Sequence, residues 1–273
     1  MRLLLLVAVL VPAVLGALER LAAPDAALSD PIWKERSAGS QIRIDHGPWD
    51  RFLAQFVATD AAGVNRVAYG RVGPAEKSAL AAYIAQLEAV DPRDLGGAEQ
   101  LAYWINLYNA ATVRLVLDHY PVESIREIGA GLFDDGPWSR EVATVLGRKL
   151  TLDEIEHGII RPVWNEPRIH YAVNCAAVGC PNLSRTAFRG ATLEAQLAAA
   201  ERAFVNDPRG IRLEGDALVL SKIWLWFRED FAEDEAGLLE RLRETAQGRT
   251  AAALAGRRKV DRYAYDWDLN DRR

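Results

Sequence analysis

Two cysteines, Cys175 and Cys180, lie in one short segment running from Ile169 to Pro181, together with His170 and Asn174. A cysteine attacks as its thiolate, so it needs a base or a positive neighbour. His170 precedes Cys175 by five residues, and Glu156 and His157 lie upstream. These side chains supply the three roles of covalent catalysis: a nucleophile, a base, and a group that orients the base. The chemistry they suggest is cysteine-dependent hydrolysis or acyl/amide transfer. Closed on each other, Cys175 and Cys180 would instead form a structural disulfide. Thiol redox exchange ranks last, because four residues separate the pair where redox motifs carry two. Two His and two Cys could also bind zinc, but neither Cys-x-x-Cys nor His-Glu-x-x-His spacing is present. We therefore expect no metal and no cofactor.

The elements that must position these groups follow from hydrophobic periodicity. Arg168 to Asn174 alternates as a strand, with Tyr171, Val173 and Cys175 on one face and His170 and Asn174 on the other. A Cys175–His170 dyad would then need the strand to end or bulge before Cys175. Leu152 to Arg161 reads as a short helix, with Thr151 and Glu154 forming a capping box. On that helix Glu156 falls beside the apolar stripe and His157 points away from it. A carboxylate at a buried face needs a partner, which His170 or Arg168 could supply. The longest helix spans about Ala98 to His119, carries Asn106 and Asn109, and is apolar on most sides. Asparagine is a poor helix former, so Asn109 is expected to hydrogen-bond internally and to brace the Cys175 loop or orient a histidine. Each residue also has a plainer role: His170 as a satisfied buried histidine, Glu156 as a structural ion-pair member, the asparagines as caps and braces.

Elsewhere, helices are expected at Trp49–Ala58, Pro74–Val90, Thr192–Asn206 and Lys222–Leu242. Hairpins are expected within Glu141–Leu152 and Gly210–Leu220, and a last strand near Tyr263–Leu269. Strands in hairpins rather than βαβ units point to an α+β fold, helix-rich with short antiparallel strands, and no linker divides it.

Arg2 followed by the apolar run Leu3–Leu15 and small Gly16 and Ala17 has the pattern of a secretory signal peptide, residues 1–16. The run is shorter than the roughly 20 residues of a membrane span, so no stable span is expected after cleavage. The expected location is periplasmic or secreted, where a disulfide is possible. The formal charge is −5, with 33 Lys and Arg against 38 Asp and Glu, and no basic run argues for a nucleic-acid partner.

The runs Trp104-Ile105-Asn106-Leu107-Tyr108-Asn109, Gly136-Pro137-Trp138, Leu150 to His157, Arg168 to Cys175 and Gly179-Cys180-Pro181 resemble the signature of the DUF547 domain family. The resemblance covers roughly residues 70–235. It implies a lead-in and first helix over 17–69, a core domain over 70–235, and a helix and tail over 236–273 packed on that domain. It also implies export, as in bacterial members, but no reaction. In the family the position of Cys175 carries Cys more regularly than that of Cys180, which favours a thiol role for Cys175. Two functions follow as expectations. One is an exported thiol hydrolase or transferase with Cys175 as nucleophile, His170 or His157 as base, Glu156 orienting, and Asn106, Asn109, Arg168 and Asn174 in support. The alternative is a non-catalytic envelope binding module with a Cys175–Cys180 disulfide. The partner would be an envelope substrate or protein.

Overall fold

The computed structural model describes residues 23–129 and 136–272. The signal peptide expected at residues 1–16 lies outside the described residues. The fold class is α+β, with short antiparallel hairpins between helices. The chain falls into two compact units. The larger holds Ala26–Glu201 and Asp266–Arg273, and Arg202–Tyr265 belong to the smaller.

In the larger unit, Pro48 lies in the first turn of α1 (Gly47–Phe56) and Pro74 in that of α2 (Pro74–Glu88), where a missing N–H costs nothing. Strands β1 (Val57–Thr59) and β2 (Asn65–Val67) pair antiparallel after α1. The central element is α3 (Gly97–His119), buried along nearly its whole length from Glu99 to Leu117. Its Trp104 meets Trp33 of the N-terminal lead-in edge to face at 5.4 Å between centroids. Strands β3 (Glu141–Val145) and β4 (Arg148–Thr151) form a hairpin whose turn residues Leu146 and Gly147 both take positive φ, 52° and 73°. That is the turn geometry matched to strand twist.

After β4 the chain is helical from Leu152, and Glu154–Ile160 are wound as a π-helix. The capping box forms as expected: Glu154 N–H donates to Thr151 Oγ1 at 3.1 Å, and Thr151 N–H to Glu154 Oε2 at 2.9 Å. The wide turn has a local cause. Pro162 has no N–H, so nothing four residues on can donate to the Gly158 carbonyl. Arg161 N–H bonds Glu156 O, five residues back, which also frees His157 O. The lead-in supplies both missing donors: Ala27 N–H to His157 O at 3.1 Å and Ser29 N–H to Gly158 O at 3.0 Å. A short helix, α4 (Arg161–Trp164), follows and ends at Asn165 in the left-handed conformation. Helix α5 (Leu193–Val205) comes after the cysteine segment.

The expected strand over Arg168–Asn174 is not formed. Pro167–Tyr171 make a 3-10 turn instead, capped by Glu166, whose side chain accepts from Arg168 N–H. Pro167 fixes φ in the first turn, and this outweighs the alternation that suggested a strand. The face argument that separated His170 from Cys175 therefore does not apply.

In the smaller unit, β5 (Ile211–Glu214) and β6 (Ala217–Ser221) form the expected hairpin, and β7 (Arg262–Ala264) adds to β6 in parallel. The helix expected across Lys222–Leu242 is broken into α6 (Ile223–Trp226), α7 (Arg228–Phe231) and α8 (Glu235–Thr245), followed by α9 (Gly248–Leu254). Trp224 and Phe231 are buried, whereas Phe227 is only half-buried. The boundary between Glu201 and Arg202 falls inside α5, so no change in composition marks it.

Candidate functional site

The cysteine segment leaves the 3-10 turn and runs irregularly to a second 3-10 turn, Gly190–Thr192, that leads into α5, yet nearly every buried polar group along it has a partner. Asn109, on the inner face of α3, donates from Nδ2 to Ala172 O at 2.9 Å and accepts Asn174 N–H on Oδ1 at 2.8 Å. The bracing role expected of Asn109 is what its amide performs. Asn174 extends the chain of contacts. Its Nδ2 donates to Pro181 O at 2.8 Å, and its Oδ1 accepts from Ala176 N–H at 3.0 Å and from Asn270 Nδ2 at 3.3 Å. Asn270 in turn accepts the Tyr69 hydroxyl at 3.0 Å.

The C-terminal tail closes the other side. Val178 N–H donates to Asp268 O, Gly179 N–H to Asp266 O, and Asn270 N–H to Ala176 O, all at 2.8–2.9 Å. Ala176 is buried with φ of +60°, a left-handed conformation that alanine adopts only when its surroundings hold it there. Within this frame Cys175 and Cys180 are joined as a disulfide. Cys180 is buried, Cys175 half-buried, and Cys175 N–H donates to Cys180 Sγ at 3.1 Å.

Beside this loop lies a second polar group. Glu156 Oε1 stands 3.5 Å from His170 Nδ1, the pair expected from sequence, and the Tyr108 hydroxyl bonds the same carboxylate. Burial alone would push the Glu156 carboxyl up. The facing His157 imidazole and the hydrogen bonds from His170 and Tyr108 outweigh it and hold the carboxyl down at about 2. The His170 side chain is 1% exposed. Arg168 does not reach Glu156. It forks onto Glu166, with Nη2–Oε2 at 2.7 Å, and onto Glu194, with Nη1–Oε1 at 2.6 Å.

His157 was expected to point away from the apolar stripe but is buried. A π-turn holds more residues than an α-turn, so Glu156 and His157 both face inward. Arg161, which can only donate, sits with Nη1 3.1 Å from His157 Nδ1, and Asp153 lies 3.8 Å from Nε2. Burial first, then the Glu156 charge, raise Asp153 to about 6.

Asn106 serves a different loop. Its Oδ1 accepts Phe188 N–H at 2.9 Å and its Nδ2 donates to Phe188 O at 2.8 Å, while the ring of His46 stands 3.3 Å away. The sequence reading passed over His46, Glu99 and Asn270. His46 stands at the N-cap position of α1 without a side-chain capping bond, and its Nδ1 lies 2.7 Å from the Tyr83 hydroxyl. Burial, helped by the Arg189 charge, lowers its pKa to about 4. Glu99 accepts Ile44 N–H and Gly190 N–H. The Asp45-His46-Gly47-Pro48 run could have signalled the first of these as a helix start; nothing local marks Asn270. Among the described residues no group of three or more His, Cys, Asp or Glu converges as a metal site, and no helix is long and apolar enough to cross a membrane.

No curated protein and no solved structure matches the chain. One family model does, over residues 92–205, from the residue after Asp91 to the end of α5, a shorter span than the motifs suggested. That span holds Asn106 and Asn109, the capping box, the Glu156–His170 pair and both cysteines, and over it the chain matches the model of the family described as protein of unknown function, DUF547.

Proposed function

We propose that this protein is an exported, non-catalytic module of the cell envelope that presents the segment around Cys175–Cys180 as a pre-organised recognition loop. The observation that carries the reading is the way this loop is held. A disulfide, two buried asparagines of the larger unit's core, and two carbonyls and one N–H of the C-terminal tail fix it at successive points. A loop ordered before it meets a ligand loses little conformational entropy on binding. The thiol hydrolase reading needs a free sulfur and a base that substrate can approach. Both sulfurs are bonded, and the His170 side chain is almost fully covered against Glu156. The signal-peptide pattern supports export, and an oxidising compartment supports the disulfide.

The test has two parts on protein collected from the periplasm or medium. Alkylation at neutral pH without reductant should find no thiol. Hydrogen exchange should find the amides of Ala176, Val178 and Gly179 strongly protected. A single fast-reacting thiol at Cys175 would overturn this reading in favour of the nucleophile, and rapid exchange at all three amides would show that the loop is not pre-organised.

A further inference from the structure

The two sulfurs of the disulfide are not equivalent, and the difference has a direction. Cys175 is half-buried, whereas Cys180 is 4% exposed, so Cys175 is the more approachable of the two residues. The backbone N–H of Cys175 already points at Cys180 Sγ, 3.1 Å away. A hydrogen bond to a sulfur favours its anionic form, so this amide offsets part of the cost of burying a thiolate on Cys180 when it leaves. Opening the bond would not scatter the loop. The Asn174 side chain spans it independently, from Ala176 N–H to Pro181 O, and the tail carbonyls of Asp266 and Asp268 hold Gly179 and Val178. The sulfurs would therefore stay close enough to close again. The left-handed Ala176 between them is held by Asn174 and Asn270, so it too persists without the bond.

From this geometry we infer that Cys175–Cys180 is a reversible thiol–disulfide exchange site, entered at Cys175, whose co-reactant is a dithiol protein or a low-molecular-weight thiol. The inference is independent of what the loop recognises. In the first step the thiolate of the co-reactant attacks Cys175 Sγ. The Cys175–Cys180 bond breaks, its electron pair leaves on Cys180 Sγ as a thiolate under the Cys175 amide, and a mixed disulfide forms at Cys175. In the second step another thiolate, from the same dithiol or a second thiol molecule, attacks the co-reactant's sulfur and releases Cys175 as a thiolate. Two electrons have passed to the protein, the co-reactant has become a disulfide, and its two thiol protons end on Cys175 and Cys180. The reverse sequence restores the clasp.

The experiment treats native full-length protein with reduced glutathione at neutral pH, quenches with acid and maps the adduct by peptide mass. The expected result is glutathione on Cys175 in about tenfold or greater excess over Cys180, as the difference in access requires. Cys180→Ser should capture glutathione at Cys175 from the oxidised form, and Cys175→Ser should leave Cys180 unmodified until urea is added. Equal labelling of both cysteines in the wild type, or no adduct before denaturation, overturns the inference. Because the mapping uses wild-type protein, a variant that fails to fold does not blunt it. A protein that resists glutathione but keeps its protected loop amides still fits the proposed recognition module. Loss of that protection in the oxidised protein overturns the module whatever the sulfurs do.

Discussion

Asn109 uses both ends of its amide on the backbone of one loop, and neither Ala172 O nor Asn174 N–H has water to turn to. Removing the amide leaves two buried groups unsatisfied, at about 1–3 kcal/mol each. Asn109→Ala should therefore destabilise the larger unit by about 3 kcal/mol and raise the exchange rates of the Asn174 and Ala176 amides, read by urea titration and hydrogen exchange. Asn106→Ala should loosen the Phe188 loop instead, leaving exchange at Ala176 unchanged, because its partners are Phe188 N–H and O. The two asparagines sit three residues apart on one helix, about 60° apart around it and about 4.5 Å apart along it, so they share a face and serve loops that cross it at successive levels.

At the scale of the element, the π-turn and the lead-in depend on each other. A Cβ placed on Gly158 would stand 3.0 Å from both Cβ and Oγ of Ser29. Gly158→Ala should push residues 27–29 off the turn and expose His157 O and Gly158 O. The expected readout is faster exchange at the Ala27 and Ser29 amides, with a loss of about 1–3 kcal/mol. Thr151→Ala removes the hydroxyl that receives Glu154 N–H and should cost about 1 kcal/mol by thermal melting. The disulfide closes a loop of only a few residues, so Cys175→Ser with Cys180→Ser should lower stability by about 2 kcal/mol, a modest figure for a cross-link.

At the scale of the molecule, acid should unfold the protein in two overlapping windows. His46 has a pKa of about 4 in the fold against 6.5 unfolded, so the unfolded chain takes up the proton first. Its contribution falls as pH drops from 6.5 to 4, by on the order of 3 kcal/mol when complete. Glu156 is lowered, so the stability it provides is present above its unfolded value and is lost as pH falls towards 2. Asp153, raised to about 6, acts in the opposite sense between 6 and 3.8 and is exposed enough that its effect is small. Urea titrations at pH 4 and pH 7 should show the drop, and His46→Gln should flatten the upper window while leaving the lower one.

What the residues determined by themselves was written in local spacing. The helix stripes gave α1 and α3, Pro74 opened α2, Thr151 and Glu154 gave the capping box, and turn residues gave both hairpins, whereas the alternation over Arg168–Asn174 did not make a strand. That Glu156 needs a partner was also legible, because a carboxylate on an apolar face must find a donor; only the fold chose His170 over Arg168. Tertiary structure alone decided the rest. Whether a helix widens into a π-turn depends on Ala27 and Ser29, more than a hundred residues away, supplying the donors that Pro162 and the shifted Arg161 amide do not. Asn109 braces the cysteine loop from before it, as a polar residue on a buried helix face suggested, and Asn270 holds it from after it, a contact that no local pattern encodes. Their effect is to satisfy buried backbone groups that would otherwise have to face water.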